Sequence, residues 1–176
     1  PRTLAMTVFG DLDTSIIDEL PPGRRPVKTH FVKKENAAKA YDFIRAELSQ
    51  GRQAYFVYPV IEDSFESDLK GAVRMYEQLK KHVFPEFTVG LVHGQMKPEE
   101  KEKEMAQFRS GKTKILVSTV LIEVGIDVPN ATVMVVEHCE RFGLAQLHQL
   151  RGRIGRGGKQ SYCFLFGSPR TDEAKA

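Results

Sequence analysis

This sequence has few cysteines, no long apolar run and only a small excess of positive charge. Each of these features excludes a class of protein. The two cysteines among 176 residues, Cys139 and Cys163, are too few and too far apart for a metal site. They are typical of reduced, buried thiols in a cytosolic protein. No apolar run approaches the roughly 20 residues that a membrane helix needs, and no signal-peptide pattern opens the chain. We therefore expect a cytoplasmic protein with no metal site of its own and no membrane partner.

The net charge is only +3 at pH 7, which is weak evidence for any partner. Its distribution is more informative, because residues 141–160 include five arginines or lysines and no acidic residue. A hydrophobic content of 41% and a charged content of 28% are ordinary for a soluble globular protein. The length suits one domain or one lobe of a larger protein, and no repeat or low-complexity tract is present.

The first residues differ in pattern from the rest of the chain. The sequence opens with Pro1 rather than methionine, which indicates a fragment of a longer sequence, and Pro21-Pro22-Gly23 interrupts it as a linker would. Asp18-Glu19 imitates the acidic magnesium box of a nucleotide hydrolase. Too little chain precedes this pair to hold a phosphate-binding loop and its helix, so we reject that interpretation.

From Val27 onward, apolar runs alternate with segments of helical periodicity. Tyr55–Tyr58 is apolar without alternation, which is typical of a strand covered on both faces. The pattern predicts an α/β fold with a mostly parallel sheet of five or six strands. The predicted strands are Thr14–Ile17, Phe31-Val32, Tyr55–Tyr58, Val89–Val92, Ile115–Val117, Val133–Val136 and Tyr162–Phe166. The predicted helices are Asn36–Gln50, Asp68–His82, Pro98–Arg109, Thr119–Val124 and Gly143–Ile154.

Helical spacing also predicts which side chains of three helices face the core. The inward residues are expected to be Ala37, Ala40, Tyr41, Ile44 and Leu48 in the first helix, Val73, Tyr76 and Leu79 in the second, and Met105 and Phe108 in the third.

Gln149–Arg156, which reads Q-L-R-G-R-I-G-R, carries the strongest functional signal. If this stretch is helical, Gln149, Arg153 and Arg156 follow one another at i+4 and i+3 and line one face. Arginine is always charged and its planar fork can bind two oxygens, so this face suits a phosphate chain. The apolar face toward the core would contain Leu144, Leu147, Leu150 and Ile154. An isolated RxxR pattern is more often a solvated basic face, so the interpretation depends on the other motifs.

In parallel sheets the working loops follow the C-terminal ends of strands, where His93-Gly94, Ser118-Thr119 and Glu137-His138 fall. Hydroxyls and free N–H groups at Ser118-Thr119 suit phosphate, although ordinary helix capping is by itself the more frequent explanation. The glycine of His93-Gly94 allows close approach to a sugar-phosphate chain or forms a simple turn. Gly125 is suited to end a helix, and Asp127 beside it can accept a ribose or water hydrogen bond or form a turn.

Gly111-Lys112-Thr113 imitates the end of a phosphate-binding loop, but that motif requires a glycine where this chain has Ala106 and a strand leading into the loop. The triplet instead follows a predicted helix and is interpreted as a helix stop. The chain therefore has arginines suited to a triphosphate but neither a phosphate cradle nor a magnesium box. A lobe that completes a site begun on a partner lobe has this composition.

These residues together resemble the C-terminal motor lobe of superfamily 2 helicases. Gln149, Gly152, Arg153 and Arg156 match the QxxGRxxR motif of that group in register, and residues 118–127 look like the motif upstream of it.

A longer run is more specific. Residues 137–157, E-H-C-E-R-F-G-L-A-Q-L-H-Q-L-R-G-R-I-G-R-G, are similar to the RecG branched-DNA helicases and, next, to the transcription-repair coupling translocases. Residues 1–5 (P-R-T-L-A), 57–64 (V-Y-P-V-I-E-D-S) and 91–101 (L-V-H-G-Q-M-K-P-E-E-K) favour RecG. The resemblance covers nearly the whole chain.

The resemblance implies a RecA-like lobe of a motor that uses ATP to move on double-stranded DNA and to remodel stalled forks and Holliday junctions. Residues 1–26 would be the tail of the preceding lobe and a linker, and residues 27–176 the C-terminal helicase lobe. The cofactor would be ATP with Mg²⁺, with the metal and the phosphate cradle on an N-terminal lobe. That lobe, a wedge domain and branched DNA would be the partners. The fragment by itself would then lack ATPase activity.

The resemblance also implies residue roles. Arg153 and Arg156 would face the γ-phosphate, with Arg156 as the arginine finger and Gln149 assisting. Two further sets are implied: Gly125 and Asp127 on the nucleotide side, and His93, Gly94, Ser118 and Thr119 toward DNA. Two alternatives remain open, a transcription-repair coupling motor and a non-hydrolytic nucleic-acid-binding module of the same fold.

Overall fold

A six-stranded sheet forms the centre of the structure, a computed structural model that describes residues 25–59, 65–119 and 128–167. Its strands are β1 (Lys28–Val32), β2 (Gln53–Val57), β3 (Val89–Val92), β4 (Ile115–Ser118), β5 (Ala131–Val136) and β6 (Tyr162–Phe166). They lie in the order β1-β6-β5-β2-β4-β3, and every neighbouring pair is parallel. The predicted α/β class with five or six parallel strands is confirmed.

The described ranges contain four α-helices between these strands: α1 (Ala37–Ser49), α2 (Phe65–Gln78), α3 (Pro98–Arg109) and α4 (Leu144–Arg151). A π-helical turn, Leu79–Val83, continues α2. The bounds of α3 agree with the predicted bounds, since proline is favoured at the first helical position and Gly111, with φ +75°, allows the left-handed turn that follows the helix. The interpretation of Gly111-Lys112-Thr113 as a helix stop is therefore confirmed.

Both faces of the sheet are covered, which explains the unbroken apolar runs of its central strands. Every residue of β2, β4 and β5 is buried, because alternate side chains enter one core or the other. One core includes Tyr55, Phe108, Met134, Leu150 and Ile154. The other includes Ile44, Leu48, Phe56, Phe84 and Phe164.

One predicted buried face needs correction. Val73 of α2 is 39% exposed, whereas Ala72 is fully buried and Leu79 is 2% exposed. The inward stripe of α2 runs through Asp68, Ala72, Tyr76 and Leu79 at helical spacing, so Val73 lies about 100° away from it. The prediction misplaced this stripe because the stripe begins at Asp68. A buried charge needs a partner, and the partner of Asp68 comes from a distant part of the chain.

The predicted strand Thr14–Ile17 and the predicted helix Thr119–Val124 lie outside the described residues, apart from Thr119 itself. Within the described ranges, no helix is long and apolar enough to cross a membrane.

Candidate functional site

Four neighbouring strands end in register at the C-terminal edge of the sheet. The backbone N–H groups of Glu137, Tyr58 and Thr119 donate to the carbonyl oxygens of Val57 (2.9 Å), Ser118 (2.9 Å) and Val92 (3.2 Å), respectively. These bonds extend the strand ladder by one residue. They align the loops that follow β5, β2, β4 and β3, as expected for a parallel sheet. We call His138, Tyr58, Thr119 and His93, which follow these four strands, the strand-end row.

The predicted nucleic-acid residues in this row and next to it differ in exposure. Ser118 is 1% exposed, whereas Thr119 is half-buried and Gly94 is exposed. A ligand at this edge can therefore reach Thr119 and the His93-Gly94 loop more readily than the Ser118 side chain.

His93 stands at the base of a tight loop. Its carbonyl accepts from the N–H of Met96 at 3.2 Å, and Lys101 Nζ donates to the carbonyl of Gly94 at 3.1 Å. Burial, and secondly the nearby Lys101 ammonium, lowers the pKa of His93. Its Nδ1 atom is buried and has no hydrogen-bond partner among the described residues. The lowered pKa favours the uncharged imidazole at neutral pH, and Nδ1 is a ring nitrogen left without a partner among the described residues.

A groove of about 660 Å³ lies along the outer edge of β3. His93 and Met96 line one end of this groove, and Lys112 and Thr113 line the other. None of Gln149, Arg153 and Arg156 lines it. The stretch Gln149–Arg156, which we call the arginine segment, is therefore separate from this groove.

Two residues of this edge were not predicted as functional. Burial, and secondly repulsion from Glu140, raises the pKa of Glu137 from 4.5 to about 7. His138 next to it has φ 49° and ψ 49°, and its ring contacts the Tyr58 ring edge-on at 5.4 Å. Glu137-His138 was recognised only as a strand end, since the partial burial of a carboxyl is not visible in the sequence.

A buried ion pair joins α2 to the turn after β5. Arg141 Nη1 and Nη2 donate to Asp68 Oδ1 and Oδ2 at 2.7 and 2.8 Å, and the Asp68 side chain is 7% exposed. This bidentate geometry is the strongest form of an arginine–carboxylate contact. Sequence reasoning missed both residues because they are 73 positions apart.

The assumed helix over Gln149–Arg156 is a wrong prediction. Helix α4 ends at Arg151 with Gly152 as its C-cap, and Gly155 has φ +79°. Glycine is a poor helix former and the preferred residue in left-handed turns, so this Gly-rich stretch leaves the helix. Gln149 is therefore helical, whereas Arg153 and Arg156 follow the helix.

The buried face predicted for this stretch is partly correct. Leu150 and Ile154 are at most 1% exposed and anchor the segment in one core, but Leu144 is 86% exposed. A series with spacing of three drifts by about 60° at each step, so Leu144 lies about 120° from Leu150 on the helix.

The chain after α4 runs to the opposite, N-terminal edge of the sheet. A Cβ on Gly155 would lie 3.2 Å from the Val27 side chain, and one on Gly157 only 2.4 Å from the carbonyl oxygen of Pro129, just before β5. The N–H of Lys28 donates to the carbonyl of Ser161 at 3.0 Å. The end of the arginine segment and the strand-end row therefore lie at opposite edges of the sheet.

Gln149, Arg153 and Arg156 have side chains that are available for binding. Gln149 and Arg156 are exposed and Arg153 is half-buried. None of the three side chains has a hydrogen-bond or ion-pair partner within the part of the chain that the structure describes. By contrast, Arg141 is held by Asp68. Two unpaired guanidiniums and a carboxamide on an anchored segment can bind phosphate oxygens at close range.

Gly125 and Asp127 lie outside the described residues. Among the described ones, no group of three His, Cys, Asp or Glu side chains could hold a metal ion. The donors present are cationic and fit an anionic ligand rather than Mg²⁺.

The Glu137 carboxyl predicts a pH-dependent stability. Its pKa of about 7 in the folded chain exceeds the ordinary value of 4.5, so between these values the folded chain binds more protons than the unfolded chain. Stability therefore falls as pH rises through this window. The variant Glu137→Gln cannot ionise at this position and so avoids this loss. We expect the unfolding free energy of the variant minus that of the native chain to be roughly 2.5 kcal/mol larger at pH 8 than at pH 5.

Urea unfolding of the two chains at both pH values measures this difference. Glu66→Gln serves as the matched control, because Glu66 is exposed. An equal effect of Glu137→Gln at pH 5 and pH 8 would contradict the prediction.

Comparisons with known proteins match most of the chain. The model of the helicase conserved C-terminal domain family matches residues 35–158. Over 165 residues, the chain is 56% identical to the ATP-dependent DNA helicase RecG of Thermotoga maritima. That alignment covers 94% of this chain and 21% of the relative, so the chain spans about a fifth of the relative's length.

Solved structures match as well. A structure of RecG bound to a three-way DNA junction has 51% sequence identity and a TM-score of 0.79, covering 99% of this chain and 22% of that one. The C-terminal domain of the DEAD-box protein Dbp5 has 22% identity and a TM-score of 0.56, covering 82% of this chain and 78% of that one. The second likeness concerns the fold alone, and together they confirm the predicted RecA-like helicase lobe.

Proposed function

The chain belongs to the helicase conserved C-terminal domain family, and from this membership we propose that it is the C-terminal motor lobe of a RecG-type, ATP-dependent DNA helicase. The intact parent would move on double-stranded DNA and remodel branched DNA such as stalled forks and Holliday junctions. Residues 1–26 would form the tail of the preceding lobe and a linker, and residues 27–176 the lobe itself. The parent would act in the cytoplasm.

The observation that carries this proposal is the arginine segment, whose Gln149, Arg153 and Arg156 side chains have no partner among the described residues. Positive charge supplied across a cleft stabilises the charge that develops during phosphoryl transfer, and a guanidinium is suited to that role. The described residues offer such charge but no carboxylate cluster for a metal. The division of labour follows from this: an N-terminal lobe would hold Mg²⁺ and most of the triphosphate, and this lobe would complete the site.

Each predicted residue has a role in this proposal. Arg156 would contact the γ-phosphate as an arginine finger, Arg153 would bind a neighbouring oxygen, and Gln149 would orient the group that attacks. Gly125 and Asp127 would belong to the nucleotide side of the cleft.

The strand-end row would face DNA. Thr119 and the His93-Gly94 loop offer a hydroxyl, backbone N–H groups and a neutral imidazole, which suit phosphate and sugar contacts. Ser118 would support Thr119 from beneath, since it is buried. Branched DNA, the N-terminal lobe and a wedge domain would be the partners, and the junction-bound structure of the related RecG supports the first of these.

ATP hydrolysis by the intact parent, with and without a forked DNA duplex, tests this function. We expect the fork to stimulate hydrolysis, because a motor of this class couples turnover to DNA. Salt-sensitive DNA binding without any ATP hydrolysis would contradict the proposal and favour a non-hydrolytic nucleic-acid-binding module.

A further inference from the structure

The turn that joins β5 to α4 contains a strained residue. His138 is the one non-glycine residue with positive φ in the described part of the chain, and its left-handed conformation is unfavourable for a side chain with a Cβ. Such a conformation persists where the surrounding structure holds it in place. The contacts of this turn, His138–Arg141, therefore indicate what holds it.

The first contact is the ion pair between Arg141 and Asp68. Arg141 closes the turn, and its side chain, 20% exposed, grips both oxygens of Asp68 near the start of α2. Because Asp68 is buried, its charge needs this partner. The ion pair thus fixes the turn against α2.

The second contact is made by Tyr58, a member of the strand-end row. Its ring contacts His138 at 5.4 Å, and a Cβ on Gly71 of α2 would lie 2.5 Å from its hydroxyl oxygen. Tyr58 therefore fills the space between α2 and the strained residue, and only a glycine in α2 leaves room for it. The turn is tied to α2 at both of its ends.

These contacts matter because the first half of α4 has little packing of its own. Leu144 is 86% exposed, only Leu147 is partly buried against the core, and the first fully buried residue of the helix is Leu150. Leu150 and Ile154 anchor the far end of α4 and the residues after it, whereas the near end is held by Leu147 and by the turn. The direction of Gln149 and of the arginines after it then depends on where α2 holds Arg141.

We propose that Asp68 and Arg141 form a positioning pair that couples the strand-end row to the arginine segment, so that DNA bound at one edge of the sheet controls how the arginines are presented at the other. The inference rests on the proposed function. Neither residue touches nucleotide in this scheme. Both act through the turn and α4, and their removal affects coupling rather than nucleotide binding.

The test uses the intact parent with Arg141→Lys, which keeps the charge but loses the bidentate grip. We expect DNA stimulation of ATP hydrolysis to fall at least tenfold, with the KM for ATP and the basal rate within about twofold of wild type. Asp68→Asn should have the same effect, and the double variant should be no worse than either single one, since both remove one contact. Arg109→Lys is the matched control, because Arg109 pairs with Glu102 on the surface of α3.

Hydrogen exchange provides a readout that is independent of activity. The amides of residues 144–151 should exchange faster in Arg141→Lys than in Arg109→Lys, while those of β2 and β5 remain protected. Wild-type DNA stimulation in Arg141→Lys would overturn the inference, as would an equal loss of basal and stimulated rates. If DNA does not stimulate hydrolysis in the wild-type parent, both the proposed function and the coupling are wrong. Hydrogen exchange would in that case still show whether the Asp68–Arg141 pair holds α4.

Discussion

Replacing Arg156 by alanine in the intact parent is expected to lower ATP turnover by roughly 10³-fold or more with little loss of ATP binding. Arg156 is exposed and its guanidinium has no partner among the described residues, so its loss leaves no buried charge behind and no core contact broken. The interaction that it makes is expected to strengthen as charge develops on the transferred phosphoryl group. Interactions of this kind change turnover more than ground-state binding.

Turnover and binding of a fluorescent ATP analogue, measured on the same preparations, separate the two effects. Lys159→Ala is the matched control. Lys159 is a basic residue just after the arginine segment, but its ammonium already donates to Asn130 Oδ1 at 3.2 Å. We expect the control to retain turnover within about twofold. Normal hydrolysis by Arg156→Ala would mean that the arginine segment is a DNA-binding or structural surface.

Phe108→Ala is expected to reduce the unfolding free energy of the chain by about 3–5 kcal/mol. Phe108 is fully buried at the end of α3, and its ring packs against Tyr55 of the central strand β2 at 4.8 Å. Its carbonyl also accepts from Gln53 Nε2 at 2.6 Å, which holds the surrounding backbone in place. The cavity left by the ring therefore cannot close easily, so the cost falls at the high end for a large-to-small substitution.

Urea unfolding followed by circular dichroism measures this loss. Phe31→Ala removes the same ring from the edge strand β1, where the side chain is 45% exposed, and should cost no more than about 1–2 kcal/mol. Equal losses in the two variants would show that the core around β2 is less tightly packed than the structure indicates.

Local pattern predicted the elements with well-marked ends. The central strands of the sheet are unbroken apolar runs and can be recognised as such in the sequence. Helix α3 has a proline at its start and a glycine after its end. Chemistry of this kind acts within a few residues and is readable in the sequence. The end of α4 was misjudged for a related reason, because the spacing of Gln149, Arg153 and Arg156 was given more weight than Gly152 and Gly155.

The sequence predicted which residues belong to the candidate site, but only partly where they lie relative to one another. The three residues of the arginine segment and the loops at the strand ends were identified from residue type and motif resemblance. The position of the end of the arginine segment at the edge opposite the strand-end loops was not foreseen, because it depends on where α4 ends and on the contact of Gly157 with Pro129.

The sequence by itself determined the α/β class, the family resemblance and the positions of the arginines, since these depend on residue type and on spacing within short segments. Only the tertiary structure decided that Asp68 meets Arg141, that Tyr58 separates His138 from α2, and that the half-buried Glu137 carboxyl has a raised pKa. The physical reason is that burial and side-chain pairing between distant residues are properties of the folded arrangement. An aspartate on an otherwise apolar stripe has the same local sequence whether or not an arginine 73 residues away is there to neutralise it.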